Sequence, residues 1–128
     1  MSLDKNIFGN NIKKLRAIKG LSRKELAEAL DTTYRSVSAW ETGEKMPRLS
    51  KLKEISTFFN VTEAYLLNHT IRDQELLDSV EGDPLERLTR LLYDKYMSIP
   101  DEHKPKVERE LLRYAEILRI EATHNKND

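Results

Sequence analysis

The stretch TTYRSVSAWETGEKMPR, Thr32 to Arg48, decides how the chain is read. It holds one tryptophan and one valine among hydroxyls, charges and a tyrosine, and it breaks at Gly43 and Pro47. Thr33 is a good N-cap for a helix over 34–42, and Gly43 closes that helix. Val37 and Trp40 are three apart and share one face, which packs inward. Tyr34, Arg35, Ser38, Ala39 and Thr42 fall on the other. A helix with so thin an apolar stripe is held against a bundle and presents a polar, partly basic face outward.

The flanks supply that bundle. A helix is expected over about 8–19, with Ile12 and Leu15 inward and Gly20 as its left-handed stop. In SRKELAEAL, Ser22 and Glu25 have capping-box spacing, and Leu26, Ala27 and Leu30 make one apolar face. Only a few residues then separate this helix from the one over 34–42, the tight connection of a helix-turn-helix. A fourth helix is expected over about 50–59, packing through Leu52, Ile55 and Phe59 and stopped by Asn60. Thr62 caps a short fifth helix ending near Leu67.

Composition narrows the class. The 128 residues hold no cysteine, which excludes a disulfide framework and thiolate metal sites. No apolar run approaches a membrane span, so a cytoplasmic protein with no membrane partner is expected. Charged residues make up 34 %, and there are only 4 Gly and 4 Pro, which favours an all-α chain. The net charge is zero but unevenly spread. Residues 1–70 carry 12 Lys+Arg against 8 Asp+Glu, and 71–128 carry 10 against 14, a basic head and an acidic tail. His69, His103 and His124 are scattered, and no glycine loop suits a phosphate. No catalytic residue, metal site or cofactor is expected, so enzyme activity is not.

Several features occur in register: Leu15-Arg16, Gly20-Leu21-Ser22, Glu25-Leu26-Ala27, Val37-Ser38, Trp40-Glu41-x-Gly43, Pro47 and Asn60-Val61. Over about residues 7–68 the chain resembles the Cro and phage-repressor (xenobiotic-response-element) family of helix-turn-helix regulators. The resemblance implies a five-helix, repressor-like DNA-binding domain. It further implies a sequence-specific transcriptional regulator, mostly repressing, with helix 34–42 in the major groove of double-stranded DNA. Asp31, Arg23 and Asn60 depart from the family's usual Gly, Gln and Gly without breaking the pattern.

The resemblance also suggests roles. Arg35 has the reach for a guanine edge or a phosphate. Tyr34 matches a position that meets a phosphate or a thymine methyl, unless its ring packs over the turn. Ala39 matches a base-facing site, where it offers an apolar surface or acts as a spacer. Ser36, Ser38 and Thr42 suit phosphate or water contacts, and Thr33 suits a phosphate at the helix start. Arg23, Lys45 and Arg48 are expected on the DNA backbone. Trp40 belongs in the core. Arg16 and Glu41 match a salt bridge tying the first helix to the recognition helix.

The domain plan expected is 1–68 for the DNA-binding head, 69–82 for a linker or short irregular helix, and 83–128 for a helical extension. Pro84 opens a helix to about Met97 whose face is Leu85, Leu88, Leu92 and Tyr96. A last helix covers about 101–122, and the tail 123–128 frays. Val107, Leu111, Tyr114 and Leu118 form its stripe, widened by Leu112, Ala115 and Ile117. Two helices make little core alone. Homodimerisation through this stripe on a two-fold operator is the leading expectation, and a lid folded back on the chain's own head is the intramolecular alternative. The alternative function is an antitoxin whose acidic helices hold a partner protein. A regulatory protein or peptide is a further expected partner.

Overall fold

The computed structural model describes residues 5–79 and 82–126. Residues 1–4, 80–81 and 127–128, at the edges of the expected segments, lie outside the described residues. The described residues are helical with no strand. The order is α1 (Lys5–Ile18), α2 (Arg23–Ala29), α3 (Tyr34–Thr42), α4 (Leu49–Phe59), α5 (Glu63–Asn68), α6 (Asp73–Ser79), α7 (Pro84–Met97), a 3₁₀ turn (Asp101–His103) and α8 (Lys104–Lys126). The chain forms two compact units, residues 1–92 and 93–128.

The first five helices arise where the sequence placed their caps. Ser22 Oγ accepts from Glu25 N–H at 3.0 Å, and Ser22 N–H donates to Glu25 Oε1 at 2.9 Å, a complete capping box. Thr33 and Thr62 accept from Ser36 and Tyr65 N–H at 3.1 and 3.0 Å. Asp31 and Asn60 take the left-handed conformation, at φ 52° and 55°, that short polar side chains tolerate. Lys51 Nζ donates to the carbonyl of Leu30 at 2.7 Å, satisfying an acceptor that the end of α2 leaves open. Phe8, Ile12, Leu15 and Ile18 of α1 meet Leu26, Leu30, Val37, Trp40, Leu52, Ile55, Phe59 and Leu66 in one core.

Of the two readings of 69–82, a linker or a short helix, the described residues show the helix, α6, and the segment packs on the helices before it. Ile71 is fully buried and Leu76 is 3 % exposed, and both belong to that core. The reason is Asn11, 1 % exposed on α1. Its Nδ2 donates to the carbonyls of Leu66 and His69 at 2.8 and 2.6 Å, and its Oδ1 accepts from Ile71 N–H at 3.0 Å. Lys14 Nζ adds a bond to the Ile71 carbonyl at 2.7 Å. A turn that would otherwise bury three unsatisfied backbone groups is thereby pinned to α1. On its outer side, Glu75 receives His69 Nε2 at 2.8 Å, Tyr65 Oη at 3.1 Å and Arg72 Nε at 3.3 Å, with the Tyr65 and His69 rings stacked.

The start of α7 also belongs to the first unit. Leu91 is buried, and Arg90 Nη1 caps the Ile18 carbonyl at 3.0 Å. The residue of α7 that enters the core is Leu91, outside the expected stripe, and Leu85, Leu88 and Leu92 of that stripe are exposed in the single chain.

In the second unit, Tyr96 Oη donates to Glu108 Oε1 at 2.8 Å and Lys104 Nζ lies 5.3 Å from the centre of the Tyr96 ring. Beyond this junction α8 is bare. Leu111, Leu112, Tyr114, Ile117, Leu118 and Ile120 are all exposed, between 40 and 74 %. The tail expected to fray from 123 is helical to Lys126.

Two outcomes follow for the first unit. Asn11→Ala strands the buried Leu66 carbonyl and Ile71 N–H and the partly buried His69 carbonyl, so it should destabilise by about 2–4 kcal/mol in urea denaturation; an unchanged midpoint would show that water replaces the amide. The bond from His69 does most to hold the Glu75 carboxyl down to about 2 from 4.5; burial opposes it, and Tyr65 and Arg72 reinforce it. A carboxyl depressed on folding stabilises above its unfolded value and loses that contribution as pH falls from 4.5 towards 2. The stability gap between wild type and Glu75→Gln should therefore be open at pH 6 and close near pH 2. A gap that does not change with pH would show that Glu75 contributes only through shape.

Candidate nucleic-acid interface

The outward face of α3 depends on what grips its inward face. Val37 is fully buried and Trp40 is 6 % exposed, both in the core. Next to them the Glu41 carboxylate is sealed from solvent and bound by two arginines. Arg16 reaches it with Nε at 2.6 Å and Nη2 at 3.0 Å, a two-point contact, and Arg23 Nε reaches it at 3.0 Å. Arg16 Nη1 continues to the Leu21 carbonyl at 2.9 Å. One carboxylate thus joins α1, α2 and α3. Such a buried group is a weak net stabiliser, but its geometry is demanding, so it fixes the angle of α3.

A second constraint lies at Gly9. A Cβ built there would stand 2.6 Å from the Trp40 carbonyl oxygen and 2.7 Å from that of Glu41. The backbones of α1 and α3 therefore touch, and only glycine permits it. Neither Gly9 nor Asn11 was singled out from the sequence. A glycine inside an otherwise periodic helix was the available signal for the first. Asn11 sits beside Asn10, and nothing in the pattern separates them.

The expected contact residues divide into four groups. Thr33, Tyr34 and Arg35 are exposed at the start of α3, Tyr34 at 56 %, with Ser36 half-buried beside them. Thr33 is occupied as the cap: its Oγ1 accepts from Ser36 N–H and donates to Ser36 Oγ at 3.0 Å. Thr42, Lys45 and Arg48 are exposed at the end of α3 and in the loop after it.

Arg23 and Ser38 are engaged with each other. Arg23 Nη1 donates to Ser38 Oγ at 3.3 Å while Nε holds Glu41. Burial disfavours the charged guanidinium, but its bonds to Glu41 and Tyr34 outweigh this and raise its pKa. Arg23 was expected on the DNA backbone; its side chain lies chiefly within the protein's own ion-pair network.

Ala39 departs from the expected face: it is only 7 % exposed. Its carbonyl accepts from Lys45 N–H, in the loop after α3, at 3.2 Å. Its methyl group is largely covered, which fits the spacer of its two expected roles better than an apolar surface offered to a base.

Among the described residues, no group of three or more His, Cys, Asp or Glu side chains could hold a metal ion. No helix among them is long and apolar enough to cross a membrane.

A short helix held out from a bundle by the helix before it is the geometry of a helix-turn-helix. The helix-turn-helix family matches residues 12–66, which span α1 to α5. The chain belongs to the Cro/C1-type helix-turn-helix family, whose members are DNA-binding transcriptional regulators. The SPbeta prophage-derived uncharacterized HTH-type transcriptional regulator YonR of Bacillus subtilis (strain 168) is 33 % identical over 78 residues, 61 % of this chain and 71 % of that one. The HTH-type transcriptional activator BcrR of Enterococcus faecalis is 31 % identical over 84 residues, 66 % of this chain; the match spans only 39 % of BcrR. A solved structure of a transcriptional regulator from Listeria innocua has a TM-score of 0.46 and 24 % identity, over 87 % of this chain and 94 % of that one.

The close approach at Gly9 sets two effects against each other. Alanine is the better helix former by about 1 kcal/mol. The added methyl group, however, meets two backbone carbonyls that cannot rotate aside. Gly9→Ala should therefore destabilise by about 1–3 kcal/mol, the usual cost of overpacking. A rise in melting temperature would show that α1 and α3 can part at no cost.

Proposed function

We propose that the protein binds a two-fold symmetric operator as a homodimer, with α3 of each copy in the major groove, and represses transcription by occupying the site. The observation that carries this reading is the division of α3. Val37, Trp40 and Glu41 are locked inward, while Tyr34 and Arg35, together with Lys45 and Arg48 of the following loop, face solvent.

In this reading Arg35 donates to a guanine O6 and N7, and Tyr34 lies against a phosphate or thymine methyl. Thr33, Ser36, Thr42, Lys45 and Arg48 serve the backbone. Arg23 and Ser38 act by holding α3 in place, and Arg23 turns to a phosphate only with the donors that Glu41 leaves. The +4 charge of residues 1–70 favours the same face for DNA. The head is the compact unit through α6 and the start of α7, and Val107, Leu111, Tyr114 and Leu118 of α8 join the two copies.

BcrR is named an activator, so repression rests on simplicity: occupancy needs no contact with polymerase. A reporter behind the selected operator separates the two, since repression predicts that expression falls when the protein is supplied. The antitoxin reading draws on the same exposed α8 residues, with a different protein covering them.

Selection of bound DNA from a random pool with the full chain should yield two half-sites about one helical turn apart, roughly 34 Å centre to centre. Arg35→Ala should cost about 1–3 kcal/mol on that operator and relax one guanine per half-site. Equal weakening on every operator variant would make Arg35 a phosphate contact. Arg48→Ala should lower the salt slope by about 1 for each phosphate it no longer neutralises and leave sequence preference unchanged. A selection that returns no enriched site would overturn the reading.

A further inference from the structure

The apolar stripe of α8 ends in charges whose signs bear on how two copies meet. Val107, Leu111, Tyr114 and Leu118 are spaced 4, 3, 4, the alternation of a coiled-coil seam. Continuing the alternation by three residues at each end reaches Lys104 and Glu121. Leu111, Tyr114, Leu118 and Glu121 are exposed. The Lys104 ammonium holds Asp101 at 2.7 Å and keeps further N–H donors for another acceptor. A 23-residue helix with its apolar side chains bare has little to stabilise it alone, since helices in proteins rest mainly on packing.

We propose that α8 pairs with α8 of a second copy in antiparallel orientation, with Val107 against Leu118 and Leu111 against Tyr114 across a two-fold axis. The inference rests on the homodimer reading above and adds the orientation of its interface.

Charge complementarity selects the second copy and its direction. In the antiparallel register each Lys104 faces Glu121 of the other copy, so an opposite-charge pair closes both ends of the seam. In a parallel pair the same positions face themselves, Lys104 on Lys104 and Glu121 on Glu121, and like charges meet at both ends. The flanking positions agree with the antiparallel register. Glu110 falls beside Ile117 of the other copy and Glu108 beside Ala115, so no carboxylate meets a carboxylate there. Leu112 and Ile120 lie off the seam, and this pairing leaves them uncovered.

The orientation also sets a spacing. The two Lys104 residues stand about 25 Å apart along the pair's axis at the α-helical rise. A parallel pair would bring them side by side. Antiparallel pairing therefore lets the chains leave the seam at opposite ends, as two half-sites one turn apart require.

The absence of cysteine makes the orientation measurable in the full chain. Val107→Cys and Leu118→Cys proteins are prepared separately and treated with a short thiol crosslinker, alone and after mixing. Antiparallel pairing leaves each cysteine about 16 Å along the axis from its own copy, so only the mixture should crosslink. Self-crosslinking of Val107→Cys alone would establish a parallel pair and overturn the inference while leaving the homodimer intact.

Sedimentation equilibrium supplies the second arm. Lys104→Glu and Glu121→Lys should each weaken self-association by about tenfold or more, and the double swap should restore it. Singles without effect overturn the register. Leu111→Asp with Leu118→Asp should abolish association; a dimer that survives it overturns the surface but not the homodimer. A wild-type chain that is monomeric at every concentration overturns both.

Discussion

The Glu41 carboxylate is the point on which the presentation of α3 depends. It is sealed from solvent and grasped from two directions, by Arg16 of α1 and Arg23 of α2. Attraction between these charges is offset by the loss of their hydration, so the cluster contributes little net stability. Its effect is geometric. A two-point guanidinium contact tolerates little rotation, so α3 cannot roll about its axis without breaking at least one bond. The close contact of Gly9 with the Trp40 and Glu41 carbonyls sets the separation of α1 and α3, and the arginines set the rotation.

The same helix serves both ends of the head. One side of α1 holds α3 through Gly9 and Arg16; another holds the chain beyond α5 through Asn11 and Lys14. Its final carbonyl, that of Ile18, is taken by Arg90 of α7. The part of the chain that follows the helix-turn-helix is therefore fastened to the helix that aims it. Loosening Ile71 or Leu76 removes apolar cover from the core that also holds Val37 and Trp40, so changes in the acidic half can reach α3 through packing.

The five helices of the head were legible because their signals are local. Capping residues, left-handed stops and a 3.6-residue apolar period act over a few positions, and Ser22, Thr33, Gly43, Asn60 and Thr62 each do in the structure what their spacing implied. The Arg16–Glu41 pair was legible only through family resemblance, since nothing in the spacing of two residues 25 apart announces a contact. What escaped was long-range. Asn11 meets Ile71 across 60 positions, and the seating of Ile71 and Leu76 in the core goes with that amide rather than with any run of apolar residues. The outward face was read correctly for Tyr34 and Arg35 and wrongly for Ala39. A helical wheel places a residue on a face but does not show how far its neighbours cover it, and Ala39 is only 7 % exposed. The inward side of α7 escaped similarly: Leu85, Leu88 and Leu92 share a period and are exposed in the single chain, while Leu91 and Arg90 find partners in the core and at Ile18.

The bare face of α8 connects these local facts to regulation. Helix formation over a segment with few tertiary contacts is close to balanced, and covering its apolar side chains tips that balance. On the proposed pairing, association and the order of α8 are one equilibrium, and each depends on protein concentration. On the proposed reading a single head offers DNA the nine residues of α3 and a short loop, too small a surface for tight binding. Two heads joined by α8 make the second contact intramolecular, which raises avidity on the order of 10²–10⁴ without any new base contact. Operator occupancy then responds steeply to the amount of protein, because dimerisation precedes tight binding. The same coupling gives a second protein a means of release. On that proposal a partner that covers Leu111 and Leu118 needs no access to α3; by occupying the seam it would separate the heads and weaken their hold on the site.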